Sequence, residues 1–125
     1  MILLDTSVLI EMFRVKDKTL SFFYRLSNDN DDFAISIITH YEILRGCNNA
    51  QEIFWWKFLK NIKVIPFDLL SSNEAIEIYK FLKRRNQMID LADLLIAATA
   101  LSHKLDFATL NLKHFSKIPN LNILK

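Results

Sequence analysis

The feature that most constrains this chain is the alternation of short apolar runs with longer segments of helical periodicity. The short runs are continuous rather than alternating in polarity, which is typical of strands buried on both faces. We therefore predict strands at Ile2 to Asp5, Phe33 to Ser36, Lys63 to Phe67 and Phe107 to Leu110. Strands that alternate with helices predict an α/β fold, in which a central parallel sheet is covered by helices on both faces.

Helical patterns fill the segments between and after these runs. The predicted helices are Leu9 to Phe13, Thr19 to Leu26, Ile38 to Arg45, Ala50 to Lys60, Ser72 to Arg84 and Leu91 to Lys104. The Ser-Ser-Asn-Glu segment that begins at Ser71 resembles a capping box for the fifth of these helices. Asp68 follows the third strand, and we expect it to cap the next helix.

Composition limits the class of protein. The chain has 125 residues, which suits one domain spanning 1–125, and its 51% hydrophobic and 24% charged residues indicate a globular fold. No apolar run reaches the ~18 residues of a membrane span. The apolar N-terminus is interrupted by Asp5, so we interpret it as a strand rather than a signal peptide. The single cysteine, Cys47, fits a reducing cytoplasm, and the single glycine, Gly46, excludes glycine-rich nucleotide loops.

Polar residues follow the predicted strands at their carboxyl ends. Parallel strands joined by right-handed crossovers bring these ends to one edge of the sheet, where ligands bind. The polar residues at these positions are Asp5, Thr6, Ser7, Ser36, Thr39, Glu42 and Asn111. Each acid alone has an ordinary explanation as a turn residue, a cap or a solvated helix residue, so only their convergence indicates a site.

The segment IDLADLLIAATAL, from Ile89 to Leu101, adds two more carboxylates at the start of a very apolar helix. Asp90 fits the N-cap of this helix, and Asp93 then occupies its third position. Small residues follow Asp93 on the same face of the predicted helix, which allows this face to approach the sheet closely. Asp93 would then be held near Asp5, and two neighbouring carboxylates are costly unless a divalent cation lies between them.

Four segments of the chain resemble, in order, the motifs of the PIN-domain ribonucleases, and among them the VapC-like toxins of bacterial toxin–antitoxin pairs. LLDTSVLIEMFR resembles the opening strand and helix with Asp5, SIITHYEILRG the second motif with Glu42, and DLLIAATAL the third with Asp93. ATLNLKHFSKIPNLNIL resembles the closing segment, with Asn111 in the fourth site position. Many relatives carry an aspartate there, and a neutral amide binds Mg²⁺ more weakly, which bears on whether a second ion binds.

The resemblance implies a PIN-like three-layer sandwich and an endoribonuclease that depends on Mg²⁺ or Mn²⁺. It implies that the substrate is structured RNA, commonly tRNA or rRNA. It also implies a cognate antitoxin that blocks the site, a homodimer of the toxin, and assembly of both into a larger complex. A cytoplasmic location and no association with a membrane are expected.

Residue roles follow from the motifs and from the predicted sheet edge. The catalytic acids would be Asp5, Glu42 and Asp93, which would also hold the metal directly or through water. Asn111 is a further candidate ligand. The residues expected to support these ligands are Thr6, Ser7, Thr109 and Asp90. The candidates for contact with RNA phosphates are Arg14, Arg45, Lys113 and His114. The net charge of +2 does not indicate nucleic-acid binding by itself.

Three other interpretations compete with cleavage of RNA. A phosphoacceptor receiver domain needs an acidic pair near the first strand, and an aspartyl-phosphate phosphatase needs an acid where this chain has Ser7. A non-catalytic interaction module on the same fold stays open, although such a module is expected to lose acids that this chain keeps. Trp55 and Trp56 point to different faces of a helix, so we expect either one buried and one half-covered tryptophan or an apolar surface for the antitoxin or a second protomer.

Overall fold

Five short strands form one parallel sheet in the computed structural model, which describes residues 1–125. The strands are β1 (Ile2–Leu4), β2 (Phe33–Ser36), β3 (Lys63–Ile65), β4 (Asp106–Ala108) and β5 (Ile123–Leu124). Their order across the sheet is β3-β2-β1-β4-β5, and every neighbouring pair is parallel. The predicted parallel sheet is confirmed, and β1 is its central strand.

Helices cover both faces of this sheet. They are α1 (Thr6–Arg14), α2 (Phe22–Ser27), α3 (Ile37–Arg45), α4 (Asn49–Leu59), α5 (Leu69–Arg84), α6 (Leu91–Ser102) and α7 (Leu112–Phe115), with a short 3-10 helix at Lys18–Leu20. None of them combines the length and the apolar character that crossing a membrane requires.

Two hydrophobic cores lie on opposite sides of the sheet, because successive strand residues point to opposite faces. Leu3 and Phe107 belong to the core that α5 and α6 complete. Leu4 and Ala108 belong to the other core, which α1 and α4 complete. All four side chains are fully buried, which explains why the strands are continuously apolar and confirms the three-layer sandwich. Helix α6 contacts both the sheet and α5, so it is apolar on more than one face.

Two predicted boundaries were wrong around residues 65–71. Strand β3 ends at Ile65, because Pro66 has no N–H to continue the ladder. Helix α5 begins at Leu69, three residues before the predicted start. Asp68 caps it, since its Oδ1 accepts hydrogen bonds from the backbone N–H and the hydroxyl of Ser71, each at 2.9 Å. The predicted cap at Asp68 is confirmed, and the capping box expected to begin at Ser71 is absent.

Other helix boundaries also differ from the prediction for local reasons. The helix predicted over Thr19 to Leu26 is interrupted at Ser21, whose hydroxyl accepts the N–H of Tyr24 and starts α2. Helix α6 ends at Ser102 rather than Lys104, because Lys104 adopts a left-handed φ of 55°. Helix α7 and strand β5 were not predicted, since their 4 and 2 residues are too short to show periodicity.

The two tryptophans of α4 have different environments. Trp55 is 3% exposed and lies in the core on the α1 side of the sheet. Trp56 is 55% exposed, and its Nε1 donates a hydrogen bond to Glu52 at 3.1 Å. Trp56 is therefore the tryptophan of α4 that is exposed on the outer surface.

Candidate active site

Asp5 lies at the carboxyl end of the central strand β1, where the chain turns into α1. The strand order runs in opposite directions on the two sides of β1, and such a point is where open parallel sheets bind ligands. Asp5 occupies the N-cap position of α1, yet its side chain makes no capping hydrogen bond. Its Oδ2 instead accepts hydrogen bonds from the hydroxyls of Ser7 at 2.7 Å and Thr109 at 2.8 Å.

The surroundings of Asp5 disfavour its negative charge. The side chain is almost completely buried, and this burial raises the pKa of Asp5 above its ordinary value. The hydroxyls of Ser7 and Thr109 oppose the rise in pKa, whereas the negative charge of Asp93 adds to it. Because the charge of Asp93 acts on Asp5, the carboxylates that follow β1 and begin α6 lie near one another.

Glu42 reaches the same region from α3. Its Oε1 accepts a hydrogen bond from the hydroxyl of Thr6 at 2.8 Å, and Thr6 is the residue after Asp5. The hydroxyl of Thr6 also lies 3.0 Å from that of Thr39, a fully buried residue one turn before Glu42 on α3. These contacts join α3 to the residue that follows Asp5, so acids from three separate elements lie at one edge of the sheet.

Asp93 has a second set of neighbours on the side that faces α7. Its Oδ2 lies 2.9 Å from Nδ1 of His114, and the amide nitrogen of Asn111 lies 2.9 Å from the same ring nitrogen. Asp90 is at the N-cap position of α6, as predicted, but its side chain accepts no capping hydrogen bond. One ligand atom from each of Asp90, Asp93 and His114 lies within 4.8 Å of the other two.

The chemistry of these donors fits a hard divalent cation. Asp5, Glu42 and Asp93 offer carboxylate oxygens, which are the ligands that Mg²⁺ and Mn²⁺ prefer. Burial and the charge of Asp93 oppose ionisation of Asp5, and a cation at this edge would remove that conflict. The same residues therefore satisfy both the chemistry and the charge balance of a metal centre.

Two of the predicted phosphate contacts have clear positions relative to these acids. Arg14 lines two adjoining clefts, one of about 500 Å³ that also contains Ser7 and one of about 400 Å³ that also contains Glu42. Arg14 therefore shares one cleft with Ser7 and the other with Glu42. His114 lies against Asp93 rather than on the outer surface.

The other two cations lie on exposed surface. Arg45 is in the last turn of α3, with its guanidinium 5.4 Å from the ring centre of Tyr41. Lys113 is exposed on α7, and it makes no ion pair or side-chain hydrogen bond. Neither residue is tied to the acids by a direct contact.

Sequence reasoning missed the contact between His114 and Asp93 and the position of Asp90 beside them. The spacing of Asp90 and Asp93, three residues apart at a helix start, was a usable signal that both share one helix face. His114 carried no comparable signal, because its position depends on the short helix α7. Thr39 was noted near the strand end, but its contact with Thr6 was not foreseen.

Comparisons with known proteins agree with this arrangement. The family model described as PIN domain matches residues 2–121. Ribonuclease VapC1 of Methanocaldococcus jannaschii is 34% identical over 98% of this chain and 84% of its own length. Ribonuclease VapC10 of Mycobacterium tuberculosis is 31% identical over 97% of this chain and 90% of its own length.

Solved structures agree with the sequence comparisons. DNA-bound VapBC from Salmonella typhimurium is similar with a TM-score of 0.86 and 26% identity, over 98% of this chain and 96% of that one. VapBC2 from Rickettsia felis, bound to a DNA fragment from their promoter, has a TM-score of 0.85 and 25% identity, over 99% of this chain and 98% of that one. With its sheet order, its converging acids and a family model matched over nearly its full length, this chain belongs to the PIN domain family.

Proposed function

We propose that this protein is the toxin of a toxin–antitoxin pair and acts in the cytoplasm as an endoribonuclease that depends on Mg²⁺ or Mn²⁺. The observation that carries the proposal is the buried carboxylate of Asp5, which two hydroxyls hold beside the charge of Asp93. The names of the similar proteins support it, since both curated relatives described above are called ribonucleases.

In this proposal Asp5, Glu42 and Asp93 hold the cation, directly or through its waters. A cation bound there supplies polarisation of the scissile phosphate and a water of lowered pKa as the nucleophile. Ser7 and Thr109 keep Asp5 in one orientation through their hydrogen bonds, and such support for ligands is worth about 10–100-fold in metal affinity.

Two further residues take part at the edge of the site. Thr6 orients Glu42 in the same way that Ser7 and Thr109 orient Asp5. Asn111 occupies the N-cap position of α7 beside His114, and its neutral amide would favour a second ion less than an aspartate would. We therefore expect one strongly bound ion rather than two.

We propose structured RNA such as tRNA or rRNA as the substrate. Arg14 lies beside Ser7 and Glu42, where it can bind a phosphate next to the cleaved one. Lys113 and Arg45 are exposed and would contact phosphates farther along the strand. Each phosphate contact of this kind makes the affinity for RNA fall as the salt concentration rises.

We propose that the antitoxin occupies the cleft of about 400 Å³ between α1, α3 and α4. Its apolar lining residues are Ile10, Phe13, Ile43 and Trp55. Glu42 also lines this cleft, so an apolar segment that carries a cationic side chain would fill the cleft and neutralise a catalytic acid. Cys47 is the only cysteine and also lines this cleft. Labelling of Cys47 with a maleimide should slow when the antitoxin binds, and an unchanged rate would place the antitoxin elsewhere.

We propose that the toxin forms a homodimer through the outer face of α5, and that this dimer enters the larger complex with the antitoxin. The exposed apolar residues of α5 are Leu69, Leu70, Ile76 and Tyr79. Its charges are segregated, with the acids Glu74 and Glu77 followed by the bases Lys80, Lys83 and Arg84. An antiparallel pair of α5 helices would match acids with bases and satisfy two-fold symmetry. Sedimentation of Ile76→Asp should show monomers, whereas an intact dimer would contradict this interface.

The proposed activity is tested by cleavage of total RNA with purified protein. Cleavage should require Mg²⁺ or Mn²⁺, stop in EDTA, and fall at least about 100-fold in Asp5→Asn, since metal catalysis supplies several kcal/mol. Asp31→Asn removes an exposed acid outside the site and should remain fully active. Cleavage that persists in EDTA would contradict the metal mechanism. Absence of cleavage under all conditions would favour the non-catalytic interaction module.

A further inference from the structure

Tyr41 has the most exposed aromatic ring of this chain, and it lies next to Glu42 on α3. Its relative exposure is 63%, compared with 55% for Trp56. Thr39 and Ile43, two residues to either side of Tyr41, form the buried side of α3. Residues two apart point to nearly opposite sides of a helix, so the ring of Tyr41 projects away from the core.

Arg45 lies between this ring and Glu42 on the surface of α3. It follows Tyr41 by four residues and Glu42 by three, and residues at these spacings are neighbours on a helix surface. Its guanidinium lies 5.4 Å from the ring centre of Tyr41. Arg45 forms no ion pair with Glu42, which instead accepts a hydrogen bond from the hydroxyl of Thr6. The N–H groups of the guanidinium are therefore free to bind another acceptor.

The pair of Tyr41 and Arg45 combines a flat apolar surface with a positive charge. RNA offers the complementary combination, because each nucleotide carries a base with an aromatic face and a phosphate with a negative charge. An apolar protein segment would cover the ring but leave the guanidinium without an acceptor, and burial of an unsatisfied donor is costly. The chemistry of the pair therefore favours a nucleotide as the occupant.

We propose that Tyr41 stacks against an unpaired base of the RNA substrate and that Arg45 binds the phosphate of the same nucleotide. This inference rests on the proposed function, since it takes RNA as the substrate, and it adds a residue that positions the RNA on the α3 side of the acids. A base within a duplex is covered on both faces by its neighbours, so stacking on Tyr41 requires a base that is splayed out. Every base has an aromatic face, so Tyr41 selects single-stranded segments rather than a sequence.

The first test measures binding of a single-stranded RNA oligonucleotide of mixed sequence, in EDTA so that the RNA is not cut. Tyr41→Leu should weaken binding by about 5–100-fold, because stacking of a base on the ring is lost. Tyr41→Phe keeps the ring and should bind like the wild type. Tyr24→Leu removes an exposed tyrosine of α2 and is the matched control, with unchanged binding. Equal affinities of the wild type and Tyr41→Leu would overturn the proposal.

Salt dependence separates stacking from the loss of a charge. For single-stranded nucleic acid, each phosphate contact contributes about 0.7 to the slope of log affinity against log salt concentration. Arg45→Gln should reduce the slope by about this amount. Tyr41→Leu should lower the affinity and leave the slope unchanged. A reduced slope in Tyr41→Leu would show that the ring acts only by holding Arg45, which contradicts stacking.

Photochemical cross-linking tests the contact in the wild-type protein. An RNA in which 5-iodouridine replaces uridine forms cross-links, on irradiation at long wavelength, to aromatic side chains that stack on the modified base. Mass spectrometry of the linked peptides should identify Tyr41. Cross-links to Trp56 or to other residues, without any to Tyr41, would contradict the proposal.

Three further outcomes separate this inference from the proposed function and from a protein partner. Cross-linking to Tyr41 without cleavage of RNA would support stacking and contradict the proposed endoribonuclease. Equal cleavage by the wild type and Tyr41→Leu, over a range of RNA concentrations, would support the endoribonuclease and remove Tyr41 from RNA binding. Loss of the dimer in sedimentation of Tyr41→Leu, with unchanged affinity for RNA, would assign the ring to a protein interface instead.

Discussion

Thr109 donates its hydroxyl hydrogen to Asp5 at 2.8 Å, although the two residues lie 104 positions apart in the chain. They directly follow the adjacent parallel strands β1 and β4, whose register pairs Leu4 with Ala108. The contact therefore follows from strand pairing, and it joins the first motif of the site to the last.

Replacement of Thr109 by valine tests this contact. Thr109→Val keeps the shape of the side chain and removes the hydroxyl that orients Asp5. We expect metal affinity to fall by about 10–100-fold, as for other outer partners of metal ligands. Thr109→Ser keeps the hydroxyl and is the matched control, with affinity near that of the wild type. Calorimetric titration with Mn²⁺ measures both, and equal affinities in the two variants would show that the hydroxyl does not act on the ion.

Burial of Asp5 predicts a specific dependence of stability on pH. Because the folded-state pKa of Asp5 is raised above 3.8, protonated Asp5 favours the folded state, and this contribution is lost as the pH rises through the folded pKa. Asp5→Asn has no charge to titrate, so it does not lose stability in this way as the pH rises. Its amide oxygen can still accept hydrogen bonds from Ser7 and Thr109. In EDTA, the stability of Asp5→Asn relative to the wild type should therefore increase from about pH 4 to neutrality. Urea midpoints measure this change, and a difference that stays constant with pH would contradict it.

Binding of the catalytic ion should stabilise the fold, and Asp93 should control the size of the effect. An ion that binds only the folded state adds about 2.7 kcal/mol at a free concentration of about 100 times Kd. Asp93→Asn should gain much less from Mg²⁺ at the same concentration. Without metal, Asp93→Asn removes the repulsion with Asp5 but also weakens the contact with His114, and these two effects on stability oppose each other. The decisive quantity is therefore the rise in stability that each protein shows when Mg²⁺ is added. Thermal melts of wild type, Asp93→Asn and the control Asp31→Asn measure it, and equal gains would remove Asp93 from the site.

The cap of α5 predicts a loss of stability in acid. The backbone N–H and hydroxyl of Ser71 lower the pKa of Asp68, with a smaller contribution from His103. Because its pKa is lowered, ionised Asp68 stabilises the folded state at pH values above the ordinary pKa of 3.8. This contribution is lost as the pH falls through the pKa of the folded state. Asp68→Asn keeps a capping oxygen without the charge, so the advantage of the wild type over it should shrink as the solution is acidified. Asp68→Ala should be less stable than both at neutral pH. A wild-type advantage over Asp68→Asn that is independent of pH would contradict this assignment.

The parallel sheet could be predicted from the sequence because burial on both faces requires strands without polar residues. Leu3 and Leu4 point to opposite cores, so neither position tolerates a polar side chain. Asp5 was recognisable for the converse reason, since a carboxylate directly after such a strand must lie at the edge of the sheet. The order of the motifs along the chain then identified the family that the comparisons show.

Tertiary structure decided which polar groups meet within that edge. The position of His114 depends on α7, a four-residue helix whose direction is set by packing of Phe115 against Phe107 rather than by periodicity. The sequence therefore determined the sheet and the acids at the ends of its strands, because burial acts on each segment separately. Only the folded chain decided that Asp93 contacts His114 and acts on the charge of Asp5, because that arrangement depends on how α6 and α7 pack against the sheet.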